Sequence, residues 1–217
     1  MKKATLIVFL MGLLSIGSAS ATPFNISIVA DNDFTVFSGT NSAINSVLYQ
    51  NNVGWGSQIA ALSTLQFNLA ASDDIFYILA MGGGGAQENI SGLINGVNMT
   101  DPSVSVSMST NISSFLSNYA SGNVASGIYN ASLFDVQTAF SSAGFAWGAP
   151  TLNSNQHVIN LSGFGSGYTF ASNSAHLFKF EASDVGVNAV PEPSLLAIGA
   201  LGLIGLTIRA RRRRRSA

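Results

Sequence analysis

Three short patterns in this chain carry atoms suited to chemistry. Asp31-Asn32-Asp33 places two carboxylates and an amide in consecutive positions. Calcium takes hard oxygen ligands from carboxylates and carbonyls in a loop, so Asp31, Asn32 and Asp33 are candidate ligands, with the two carboxylates as the metal-binding core. The same trio also reads as a polar turn whose carboxylates accept from nearby amides. The second pattern is a pair of tryptophans with small neighbours, Gly54-Trp55-Gly56 and Ala146-Trp147-Gly148. An indole left open by such neighbours stacks on the apolar face of a sugar ring. Core packing is the other fate of a tryptophan in a small β-protein. The third is Pro191-Glu192-Pro193. Its prolines fix φ and lack amide protons, which holds Glu192 extended in a form that a processing enzyme can grip.

Other chemical sets are missing from the sequence. Gly82 to Gly85 is not followed by the Lys-Ser/Thr of a phosphate-binding loop and reads as a flexible hairpin loop. His157 and His176 stand 19 residues apart in a chain without cysteine, which gives no zinc spacing. No serine sits in a Gly-x-Ser-x-Gly elbow, and no two carboxylates stand out as an acid/base pair. No catalytic residue is assigned, and the expectation is a protein that is not an enzyme.

The ends of the chain read as addresses. Met1-Lys2-Lys3, the apolar run from Leu6 to Leu14 and the small-residue site Ala19-Ser20-Ala21 make a secretory signal peptide over residues 1–21, cut by signal peptidase after Ala21. At the other end, Ser194 to Ile208 is uncharged and is followed by six arginines, Arg209 and Arg211 to Arg215. As a helix this stretch, residues 194–208, is about 22 Å long against a hydrocarbon core of about 30 Å, a short span that arginine snorkelling and local thinning make feasible. The arginines place that end in the cytoplasm.

A Pro-Glu-Pro box, a short span and an arginine cluster over residues 189–217 resemble the PEP-CTERM sorting signal of Gram-negative bacteria. The resemblance implies an exosortase as partner, processing at Pro191, Glu192 and Pro193, transient anchoring in the inner membrane, and arrival at the cell surface or outside the cell. It also links the protein to exopolysaccharide and biofilm.

Composition between the two ends restricts the partners. Residues 22–190 hold one basic residue, Lys179, against nine acids, a net charge of −8. Such a domain is repelled by nucleic acid and by anionic lipid. With no cysteine, the exported fold relies on burial and sheet hydrogen bonds.

The pattern from 22 to 188 predicts one antiparallel β-sandwich. Phe24, Ile26 and Ile28 alternate with Asn25 and Ser27; Leu65 and Phe67 flank Gln66; Val104, Val106 and Met108 alternate with serines; Phe178 and Phe180 flank Lys179. The continuous run Ile75 to Leu79 suits a strand covered on both faces. Ile112, Phe115, Leu116 and Tyr119 have helical spacing with Gly122 as terminator, and Leu133, Val136 and Phe140 suggest a second short helix. These helices are expected across an edge or one end of the sandwich.

Residues 24–98 also resemble the galactose-binding-like jelly-roll domains. The likeness lies in Ala30-Asp31-Asn32-Asp33-Phe34, Asn52-Val53-Gly54-Trp55, the glycine run, and Ser91-Gly92-Leu93-Ile94. It implies a jelly-roll-like sandwich in a surface protein. The leading functional expectation is a non-catalytic surface or matrix protein associated with exopolysaccharide. The alternatives are a secreted polysaccharide hydrolase and a structural module that binds a protein partner.

Overall fold

Phe24, Ile26 and Ile28 are buried while Asn25 and Ser27 between them are half-buried, and this period of two makes β1 (Phe24–Ala30) a strand with one core face. The molecule is a computed structural model describing residues 23–58, 65–70, 73–84, 88–153 and 166–186. The signal peptide with Ala19 and Ala21, the tail with Pro191, Glu192 and Pro193, the span 194–208 and His157 lie outside the described residues. Among those described, no helix is long and apolar enough to cross a membrane.

Two antiparallel sheets face each other. The first runs β10 (Thr151–Asn153), β11 (Gly167–Phe170), β6 (Glu88–Ile94), β1 and β4 (Leu65–Phe67), with β7 (Val97–Asn98) also paired to β6. The second runs β3 (Ala43–Gln50), β2 (Asp33–Thr40), β5 (Ile75–Met81), β12 (Ala175–Glu181), β8 (Val106–Ser109) and β9 (Trp147–Gly148). The apolar run from Ile75 fills the position that its pattern predicts. β5 pairs with β2 on one side and β12 on the other, and every residue from Ile75 to Met81 is buried.

Burial on both faces of β5 requires two cores. Phe76 and Ile78 point between the sheets, with Phe24, Ile26, Phe34, Ile90, Phe178 and Phe180. Phe76 stacks on Phe180 with ring centroids 5.1 Å apart and planes 2° from parallel. Each such side chain contributes roughly 1.5–3 kcal/mol by leaving water. Tyr77 and Leu79 point the other way, into a second core with Phe37, Ile44, Leu116, Val124, Val136 and Leu177.

That second core is closed by the segment between β8 and β9, which includes α2 (Ser121–Ala125) and α3 (Leu133–Phe140). The helical elements therefore cover the outer face of the second sheet, where an edge or end position was expected. A third, four-residue helix, α1 (Trp55–Gln58), packs against β1.

The helix expected from Ile112 to Tyr119 is reduced to one 3₁₀ turn, Ser113–Phe115. Asn111 Oδ1 accepts from Ser113 N as a cap would, but Leu116 is extended and Asn118 has φ 60°. Three serines and an asparagine give this segment weak helical propensity. The Ser117 amide instead donates to Asp135 Oδ2 at 2.8 Å, which ties the segment to α3. Ile112 and Leu116 still reach the core. The spacing found two buried residues, while Phe115 is exposed and the backbone is not a continuous helix.

Candidate functional site

Asp31-Asn32-Asp33 forms the crossover from β1 in the first sheet to β2 in the second. Its backbone is bound at both sides: Asp31 N donates to Asn89 O at 2.8 Å and Asn32 N to Met81 O at 2.9 Å. Gln58 of α1 completes the clamp, its Nε2 donating to Asn32 O at 2.7 Å and its Oε1 accepting from Ala30 N at 3.2 Å. Gln58 has no pattern in the sequence to mark it, being a lone glutamine three residues after Trp55.

The side chains serve the same corner. Asn32 Nδ2 donates to Asp31 Oδ1 at 2.6 Å, and Asn32 Oδ1 accepts from Gly83 N. Asp33 Oδ1 accepts from Phe34 N at 2.8 Å and Asn51 Nδ2 at 2.6 Å. Asp33 Oδ2 is buried without a hydrogen-bond partner, the Tyr129 amide acting on the carboxylate without full hydrogen-bond geometry. Burial pushes the Asp33 carboxyl up to about 7, against the lowering effect of Asn51 and of the Phe34 and Tyr129 amides. Burial, with the nearby charge of Glu88 as the smaller cause, raises Asp31 to about 6.

These oxygens are oriented toward amides of the fold. Among the described residues, no three of the His, Cys, Asp and Glu side chains are grouped to hold a metal ion. Asp31, Asn32 and Asp33 make the hydrogen bonds of a turn, and the two carboxylates are buried in it.

Gly82, Gly83 and Gly84 belong to this corner, on the connection from β5 in the second sheet to β6 in the first, which is not a hairpin. A Cβ on Gly83 would lie 2.3 Å from Asn32 Oδ1 and 2.9 Å from Ala125 N, and one on Gly82 would lie 2.7 Å from Glu88 Cγ. Close approach requires glycine here. Gly84 N donates to Glu88 Oε1 at 3.0 Å, and Tyr119 OH donates to the carbonyls of Gly82 and Ser174.

Trp147 sits in β9, away from this corner, and is half-buried in an aromatic cluster. It stacks on Tyr77 at 6.0 Å and 18°, and meets Phe145 edge-on at 5.0 Å. Lys179 Nζ lies 5.4 Å from the ring centroid and donates to Asn41 Oδ1 at 3.0 Å. The ammonium contributes a cation–π contact to this packing. The backbone of Trp55 opens α1, while its side chain lies outside what the structure describes.

His176 is a satisfied core histidine. Its Nδ1 is 2.8 Å from Ser109 O and its Nε2 3.0 Å from Ser174 Oγ, and burial holds its pKa below the ordinary value.

Comparison with known proteins places one segment. Residues 189–214 match the family model of the PEP-CTERM protein-sorting motif. No curated protein and no solved structure matches the chain. The motif marks an exported, surface-associated protein that is processed by an exosortase.

Proposed function

We propose that this is a non-catalytic surface or matrix protein of a Gram-negative bacterium that associates with exopolysaccharide in a biofilm. It is anchored transiently in the inner membrane by residues 194–208, processed at Pro191-Glu192-Pro193, and released as the folded residues 22–188. The observation that carries the reading is the sorting motif over residues 189–214.

The use of the carboxylates supports the non-catalytic part. Asp31 and Asp33 are bonded within the β1–β2 crossover, Asp73 accepts from Ser38 and Asn45, and Asp135 accepts from Ser117 N. These contacts stabilise backbone turns and a helix, which is ordinary work for buried acids. Strands that pass repeatedly between the two sheets, from β1 to β2, β3 to β4 and β5 to β6, support the jelly-roll-like description.

One observation favours the hydrolase reading. The raised Asp31 carboxyl beside Glu88 is the kind of pair from which glycosidases build acid and base. On that reading Asp31→Asn abolishes release of oligosaccharide from the polymer.

The test follows the protein in cells that make it. The native chain is expected in the extracellular polymer fraction, freed by depolymerising that polymer and without releasing oligosaccharides itself. Replacing Pro191, Glu192 and Pro193 with alanine should retain the precursor in the membrane and empty the polymer fraction. Native protein that separates from the polymer, or that cleaves it, would overturn the proposal.

A further inference from the structure

The outer face of the first sheet has a character that the net charge of the domain hides. Residues facing the core on β1 are Phe24, Ile26 and Ile28, so Asn25, Ser27 and Val29 face outward. Register places Gln66 of β4 opposite Asn25, Leu93 of β6 opposite Ser27, and Ser91 opposite Val29. Across this array there is no charged side chain, in a domain of net charge −8. The Val29 end is buried, with α1 packed against β1, whereas Asn25, Ser27 and Leu93 are half-buried and Gln66 is exposed.

A groove of about 500 Å³ lies at the open end, lined by Pro23, Asn25, Ser27, Leu93, Asn95 and Gly96. Its volume falls in the range of small-ligand sites. The floor is rigid. Asn95 Oδ1 accepts from Asn25 N at 2.8 Å and Asn95 Nδ2 donates to Val185 O at 2.8 Å, so this side chain is committed to the scaffold. Gly92 allows β6 to approach β1, since a Cβ there would lie 2.3 Å from Ser27 O. Asn25 is bonded through its backbone amide and lines the groove, and Gln66 stands opposite it across the β1–β4 ladder.

Two opposed carboxamides offer donors and acceptors at the spacing of directly paired residues, about 5 Å between Cβ atoms. Vicinal hydroxyls of a sugar present the complementary set, and Leu93 and Pro23 supply apolar surface for its C–H face. A polyanion would meet the repulsion of the domain without a basic residue to offset it, because Lys179 lies on the other sheet. A protein partner that relied on a large apolar patch would find only Leu93 and Pro23.

We infer that this groove, lined by Asn25 and Leu93 and flanked by Gln66 across the β1–β4 ladder, is the binding site for a neutral polysaccharide chain. The inference rests on the matrix role proposed above and adds to it a place and a charge class.

The test is affinity electrophoresis of the processed protein recovered from culture. Gels contain galactomannan, mixed-linkage β-glucan or xyloglucan as neutral probes, alginate as an anionic probe, or the polymer of the producing cells. Retardation is expected by at least one neutral probe and by the cells' own polymer, with none by alginate. Asn25→Ala combined with Gln66→Ala should weaken binding about tenfold or more, as loss of two hydrogen-bonding groups predicts. Gln66→Glu, which keeps the shape and adds a charge at an exposed position, should weaken it similarly. Unchanged thermal midpoints would separate loss of binding from loss of fold. Retardation by the cells' polymer that survives these changes would remove the groove and leave the matrix role standing. Mobility unaffected by any neutral probe or by that polymer would remove both. Retardation by alginate alone would overturn the charge argument.

Discussion

The two outer faces of the sandwich are built from opposite materials. On the second sheet, Tyr77, Leu79 and Leu177 face outward and are buried under the segment that carries α2 and α3. On the first, Asn25, Ser27 and Gln66 face outward, the first two lining an open groove. An apolar sheet face must be covered, and covering it consumes the aromatic side chains that might otherwise meet a ligand. Trp147 illustrates this. One of the two tryptophans that look like sugar platforms in the sequence is half-buried and packed against Tyr77, Phe140, Phe145 and Lys179. A face made of amides and hydroxyls needs no such cover and stays available.

The sharpest break in this comparison is Tyr77→Ala. Tyr77 is wholly buried, packs on Trp147 and Phe140, and donates its hydroxyl to Thr40 O. Removing the ring should cost about 3–5 kcal/mol in chemical denaturation, the range for large aromatic truncations in a core. A cost below about 1 kcal/mol would mean that the cover over the second sheet is loose.

The buried acids between the sheets give the next effect, through pH. Asp33, raised to about 7, and Asp31, raised to about 6, both have folded values above the ordinary 3.8. Between pH 4 and these values the folded state holds protons that the unfolded state releases. Stability from these groups is therefore greatest near pH 4 and below, falls as pH rises through 6 to 7, and levels off above. The slope is about 1.4 kcal/mol per pH unit for each group fully protonated in the folded state and ionised in the unfolded state. Asp33→Asn should flatten the fall between pH 4 and 7 in a series of urea titrations. A variant with the native slope would show that Asp33 stays ionised in the fold.

Smallest should be the effect of the open face on stability. Asn25→Ala and Gln66→Ala are each expected to change stability by no more than about 0.5 kcal/mol, as for surface positions without a structural role. A loss above about 1.5 kcal/mol at either position would make that residue part of the scaffold.

The sequence announced the strands better than the layers. Alternation at Phe24 to Ile28 and continuity at Ile75 to Leu79 report local burial, and both strands lie where those patterns put them. Helical spacing at Ile112 to Tyr119 reports the burial of Ile112 and Leu116 and misses the exposure of Phe115; Asn118 in the left-handed region and the Ser117–Asp135 contact decide the backbone, and both depend on tertiary neighbours. The buried crossover was visible as a polar trio. Its clamp by Gln58 and Gly83 joins positions far apart in the chain. Of the groove, Asn25 and Ser27 were legible as the polar phase of β1. Their pairing with Gln66 and Leu93 required register, which composition does not encode.

The central claim is that the uncharged face of the first sheet meets the polymer while the covered face of the second does not. Hydrogen–deuterium exchange of the processed protein, with and without the polysaccharide of the producing cells, tests it directly. Added protection is predicted in residues 24–28 and 91–98, with none in residues 140–148 around Trp147. Protection confined to residues 140–148, or no change anywhere at saturating polymer, would contradict the account.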